Sequence, residues 1–240
     1  MTLKKYIPDT ITSMNLLCGA LGVIFTWEDR IPEAFLLMLG AAVFDFLDGF
    51  AARALHASSG IGKELDSLCD MVSFGLLPAL MLCRLMPLPA PWRYLPLLLA
   101  VFSAIRLARF NLDERQHTSF LGLATPACAI LCGALACYVR TRPESFLAVL
   151  VRYPATLPVL TLVLCVLLLC EIPMFSFKRA GEDGAIHHLA NLERTAFFSI
   201  AALALISVAV ARQPLSLAVL FIVLAYILVN LVFHLFRSQL

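Results

Sequence analysis

The stretch AFLLMLGAAVFDFLDGFAAR, from Ala34 to Arg53, is an apolar run long enough to enter a bilayer, yet it carries Asp45 and Asp48 in its second half. A membrane-crossing helix needs roughly 20 mostly apolar residues, and the remainder of the chain repeats the theme. Of 240 residues, 61% are hydrophobic and 14% charged, with a mean hydropathy of +0.91. Soluble domains stay near half apolar, so the composition excludes a water-soluble globule. It predicts an all-α, polytopic helical bundle in lipid. Breaks at Pro, Gly and charge clusters divide the chain into eight candidate spans, at residues 10–27, 33–55, 65–86, 93–111, 120–139, 155–174, 192–211 and 214–236. Connections between them are short, so residues 1–240 are read as one transmembrane domain. The longest polar stretch, KRAGEDGAIHHLANLER from Lys178 to Arg194, is predicted to be a surface loop with His187 and His188 solvated.

A formal net charge of +2 offers no field for nucleic acid, and Lys and Arg are better read by position. Eight spans put both termini on one side. Eleven of the eighteen cations (Lys4, Lys5, Arg53, Lys63, Arg106, Arg109, Arg115, Lys178, Arg179, Arg194 and Arg237) fall on that side, which makes it the cytoplasmic one. The seven others are Arg30, Arg84, Arg93, Arg140, Arg142, Arg152 and Arg212, and the cluster from Arg140 to Arg152 runs against the rule. The opening MTLKKYIPDT leads into an apolar run without a small-residue cleavage site, and is read as a retained first helix. None of the eight cysteines forms a CxxC pair, and most sit inside apolar runs, where packing is their expected role.

The acids of the opening stretch have counterparts in GKELDSLCD, Gly62 to Asp70. At about 100° per residue, with Asp45 at zero, Asp48 falls at about −60°, Gly49 at about +40°, Ala52 at about −20° and Arg53 at about +80°. Gly62, Asp66 and Asp70 lie within about 80° of one another on the next helix by the same rule. Antiparallel neighbours would bring the four aspartates to one depth. Each bare acid at mid-bilayer costs about 2.5–3.5 kcal/mol, so four cost on the order of 10 kcal/mol unless something offsets them. Hard divalent cations would do so, since an all-oxygen donor set suits Mg2+ or Mn2+ better than zinc. Gly49, Ala51, Ala52 and Gly62 leave room beside the acids for a phosphate group, with Arg53 as its cation; for Gly62, close helix packing is the competing reading.

The spaced string Asp45, Asp48-Gly49, Ala52-Arg53, Gly62, Asp66, Asp70 resembles the signature of the CDP-alcohol phosphotransferase family at every defining position. YIPDTITSMNLLCGALG (from Tyr6), RLARFN (Arg106 to Asn111), SFLGLATP (Ser119 to Pro126) and IPMFSFK (Ile172 to Lys178) resemble blocks of its bacterial, membrane-type phosphatidylserine synthase branch. Ala124 stands where a proline is common in that branch, and Glu171 where a basic residue is common.

The resemblance implies an enzyme using two divalent cations to transfer the phosphatidyl group of CDP-diacylglycerol to L-serine with release of CMP. Carried over by position, Asp45, Asp48, Asp66 and Asp70 would be metal ligands, with Asp70 also the catalytic base. Thr12, Asn15, Gly49, Ala52, Arg53 and Gly62 would bind the nucleotide and pyrophosphate. The core of the family would span 1–179, with 180–240 as two additional helices. A homodimer in the bacterial inner membrane, among membrane lipids, is also implied. Arg106, Arg109 and Lys178 are candidates for the acceptor carboxylate; for the two arginines, anchoring at lipid headgroups is the alternative. Glycerol 3-phosphate, inositol phosphate or choline would be rival acceptors, and a cation transporter is the rival from another class, because intramembrane acids also mark ion paths.

Overall fold

The computed structural model describes residues 6–56, 60–112, 120–174 and 185–237. Helix α1 runs Tyr6–Trp27 and α2 Ile31–Ala54, with Pro32 in the first turn of α2, where its missing N–H costs no hydrogen bond. Helix α3 covers Gly60–Leu85, and a 3-10 turn at Trp92–Tyr94 leads into α4, Leu97–Leu112. Helix α5 is Thr125–Thr141, followed by a short α6 at Phe146–Val151 and by α7 at Thr156–Leu169. Helices α8, Ala185–Val210, and α9, Leu215–Arg237, complete the bundle.

Five of these segments are long and apolar enough to cross a membrane, and the apolar parts of α5, α7 and α8 are shorter. The protein is an integral membrane helical bundle. At 1.5 Å per residue, α7 with its 14 residues reaches only about 21 Å. The ends of α5 and α7 make up the difference with extended backbone. Strand β1, Phe120–Leu121, pairs antiparallel with β2, Pro173–Met174. Beyond the pair, Gly122 N donates to Ile172 O at 2.9 Å and Leu123 N to Leu167 O at 2.8 Å. Protein groups satisfy these backbone N–H donors, as non-helical backbone within a membrane bundle requires. Gly122 has φ +73°, and a Cβ there would lie 2.6 Å from Cys170 O, so the turn needs glycine.

Helix α5 is the centre of the bundle. Cys128, Ala129, Leu131, Cys132, Ala134, Leu135, Ala136, Cys137 and Tyr138 are all buried, and the small side chains let α2, α3 and α9 close around it. All eight cysteines are free, six of them buried, consistent with packing. Two details depart from the sequence reading. Helix α8 begins at Ala185, so part of the expected surface loop is helical: past Gly184 the sequence holds neither Gly nor Pro up to Pro214, and nothing breaks the helix. Within α3, Met71–Leu76 is a π-helical turn, a widening that hydrophobic periodicity does not reveal.

Candidate active site

Packing of α1 against both α2 and α3 is what assembles the site. Gly19 permits a close approach, since a Cβ there would lie 2.9 Å from Ser73 Cα. The π turn swings Ser73 toward α1, where its Oγ donates to Asn15 O at 3.0 Å. One turn earlier on α3, Asp70 accepts a hydrogen bond from Asn15 Nδ2 at 3.1 Å. Asn15 and Ser73 are fully buried and Asp70 nearly so. The base candidate is therefore oriented by a side chain on a different helix.

Asp45 and Asp48, on the last half of α2, meet Asp66 on the first turns of α3. One carboxylate oxygen from each lies within 4.8 Å of the other two. Asp48 is only 6% exposed. Asp48 Oδ2 and Asp66 Oδ1 are buried with no hydrogen-bond partner among the described residues. Two like charges about 4 Å apart repel by about 4 kcal/mol at an effective dielectric near 20, so three ionised carboxylates need positive charge between them. Orphaned, converging, oxygen-only donors fit a hard divalent cation. Asp70 belongs to the same electrostatic group, interacting with Asp45 and Asp66, but it stands outside the three-oxygen cluster. The four acids thus divide into a triad and a separately held fourth.

The predicted nucleotide and pyrophosphate residues surround this group. Thr12 is buried, donates to Pro8 O at 3.0 Å, and lies beside Asp48. The exposed Arg53 guanidinium folds over Gly49, Nη1 lying 3.5 Å from the point a Gly49 Cβ would occupy. Ala52 and Gly62 are half-buried on the facing helix ends. Asn15 Oδ1 is a further buried acceptor without a partner among the described residues.

The acceptor candidates separate. Arg106 is 7% exposed, with Nη1 donating to Thr125 Oγ1 at 3.0 Å and Nε without a partner among the described residues. Arg109 is exposed, although three residues on, because the helix turns it from the bundle. Lys178 lies outside the described residues. Sequence reasoning did not single out Thr125, Ser73 or Ser67. Ser67 accepts from Asn111 Nδ2 at 2.9 Å, while Lys63 Nζ donates to Asn111 O at 2.9 Å. This brace ties the end of α4, and with it the Arg106 segment, to the helix that carries Asp66 and Asp70. The available signal was position alone: Asn111 and Thr125 sit in the RLARFN and SFLGLATP blocks.

The family model described as CDP-alcohol phosphatidyltransferase matches residues 5–170, which hold every one of these contacts. The chain belongs to the CDP-alcohol phosphatidyltransferase family. Among curated relatives, it is 35% identical over 124 residues to the CDP-diacylglycerol--serine O-phosphatidyltransferase of Bacillus subtilis (strain 168), covering 51% of this chain and 70% of that one. It is 39% identical over 135 residues to the protein of the same name in Mycobacterium tuberculosis (strain ATCC 25618 / H37Rv), covering 52% and 47%. The archaetidylserine synthase of Methanothermobacter thermautotrophicus is 32% identical over 130 residues, covering 52% and 54%. The matches thus span about half the length of the mycobacterial and archaeal relatives, and more of the Bacillus one. Family membership agrees with the sequence-level resemblance and with the all-helical membrane fold, and α8 and α9 lie beyond the matched region.

Proposed function

We propose that the chain is a CDP-diacylglycerol:L-serine O-phosphatidyltransferase. The observation that carries this reading is the convergence of Asp45, Asp48 and Asp66 oxygens within 4.8 Å, next to an Asp70 held by Asn15, in a member of this family. The names of the bacterial and archaeal relatives support serine as the acceptor.

In this reading the bond formed joins the serine oxygen to the phosphorus that bears diacylglycerol. The bond broken joins that phosphorus to the bridging oxygen of the pyrophosphate, which leaves with CMP. Asp45, Asp48 and Asp66 would hold Mg2+ or Mn2+, with Asp70 completing the set for a second ion; when bound, such ions neutralise pyrophosphate charge and stabilise the departing phosphate. Asp70 takes the serine proton as the new bond forms, because a carboxylate is too weak a base to remove it beforehand. Asn15 fixes the carboxyl in the orientation this transfer needs. Thr12, Gly49, Ala52, Arg53 and Gly62 line the nucleotide and pyrophosphate, Arg53 as the phosphate cation. Arg106 receives the serine carboxylate: Thr125 holds one end of its guanidinium and leaves Nε as a donor.

The positive charge bias supports an inner-membrane enzyme with its termini and site facing the cytoplasm. A homodimer is the assembly implied by the family resemblance, and cross-linking in native membranes tests it. Acceptor choice is tested by CMP release from CDP-diacylglycerol against serine, glycerol 3-phosphate, inositol phosphate and choline. Serine should be preferred by well over tenfold. Faster turnover with any other alcohol would refute the assignment, and cation flux in proteoliposomes without CMP release would refute the enzyme class.

A further inference from the structure

Two arginines of the cluster that runs against the positive-inside pattern, Arg140 and Arg152, line a cavity together with Arg84 at the end of the bundle opposite the carboxylates. Asp29 lies in the turn between α1 and α2, nineteen residues before Asp48, which along α2 is about 28 Å away at 1.5 Å per residue. Its carboxylate accepts from Arg84 Nη2 at 3.3 Å, at the end of α3, and pairs with Arg140 at the end of α5. Arg152, just past α6, donates from Nη2 to Pro143 O at 3.2 Å. These three arginines line a cavity of about 190 Å3 whose other wall is Leu85, Val139, Ala148 and Val151.

Three arginines line the cavity and one carboxylate is bound to two of them, Arg84 and Arg140, while the Pro143 carbonyl that Arg152 meets neutralises nothing. The cavity wall therefore keeps about two positive charges beside apolar side chains. Trp92, Tyr94 and Tyr153, all exposed, sit in the loops at this same end. Aromatic side chains of this kind mark the headgroup level of a membrane. A site with fixed guanidinium donors on one side and aliphatic groups on the other, at headgroup depth, matches the phosphate and upper acyl region of an anionic phospholipid.

We infer that Arg84, Arg140 and Arg152 form a binding site for the phosphate of an anionic phospholipid in the leaflet opposite the catalytic one. The bound lipid bridges α3, α5 and α6, which meet there without a salt bridge of their own to Arg152 among the described residues. This assignment is independent of the acceptor alcohol and of catalysis.

The test is native mass spectrometry of the full-length protein in detergent, titrated with phosphatidylglycerol and with phosphatidylcholine. Wild type should retain one phosphatidylglycerol in preference to phosphatidylcholine. Arg152→Gln removes a donor whose partner is only a backbone carbonyl and should weaken retention about tenfold. Ala148→Leu, which fills the cavity without changing charge, should do the same. Arg142→Gln, just past the end of α5 and outside the cavity wall, should leave it unchanged. Equal retention in wild type and both cavity variants would overturn the site. Displacement of the lipid by millimolar inorganic phosphate, with no dependence on acyl chains, would overturn the lipid assignment in favour of a free-phosphate site.

Discussion

Replacing Asn15 by Leu tests whether its hydrogen bond orients Asp70 for the proposed proton transfer. The side chain donates one hydrogen bond, 3.1 Å long, to Asp70, in a position that is fully buried. A hydrogen bond to a charged acceptor contributes about 1.5–3 kcal/mol. If that energy serves to hold Asp70 for proton transfer, kcat falls about 10- to 150-fold, at about 1.4 kcal/mol per factor of ten. The contact between α1 and α3 should survive, because Ser73 bonds to the main-chain carbonyl of residue 15 and not to its side chain. Leucine also fills the volume, so no cavity confuses the result. The assay is CMP release at saturating serine and CDP-diacylglycerol, beside a thermal melt of the same preparation. A variant that melts like wild type and keeps more than half of kcat would refute the orienting role. A raised KM for CDP-diacylglycerol with kcat unchanged would return Asn15 to the nucleotide-binding role that the sequence motif implies.

Other outcomes follow from the same geometry. Arg106→Lys keeps the charge but loses the fork that engages Thr125, so KM for serine should rise roughly tenfold while KM for CDP-diacylglycerol stays put; the two Michaelis constants, measured separately, check this. Gly49→Ala meets only ordinary contact with Arg53, at 3.5 Å, so its melting temperature should match wild type while turnover drops if pyrophosphate needs that space. Gly19→Val should fail by a different route, since a Cβ would lie 2.9 Å from the Ser73 backbone: a thermal melt should show a loss of about 1–3 kcal/mol for overpacking.

The membrane class and the convergence of Asp45, Asp48 and Asp66 were legible because each rests on a strong local signal. Apolar length fixed the spans, and the spacing of Asp45, Asp48 and Asp66 fixed which faces meet. Partition of the four acids was not legible, because it depends on α1 entering between α2 and α3, and on the π turn that carries Ser73 to Asn15. Helical periodicity is blind to a single widened turn. Arg106 and Arg109 illustrate a similar limit. They are about 60° apart around the helix axis, close enough to read as one face, yet the edge of the bundle passes between them. Helix α8 exceeded its predicted start because charge and histidine were read as loop, although neither is a strong helix breaker as Gly and Pro are. The shortness of α7 and the β1–β2 pair escaped notice for a physical reason too, as tertiary hydrogen bonds there replace the helix that hydropathy alone would extend.

The proposed chemistry rests on Asp45, Asp48 and Asp66 holding a divalent cation between α2 and α3. Electron paramagnetic resonance of Mn2+ titrated into the purified protein measures this without reliance on turnover. Wild type should bind Mn2+ tightly enough to suppress the free-ion signal, and Asp45→Asn, Asp48→Asn and Asp66→Asn should each weaken binding at least tenfold. Equal Mn2+ affinity in wild type and all three variants would show that these carboxylates hold no cation.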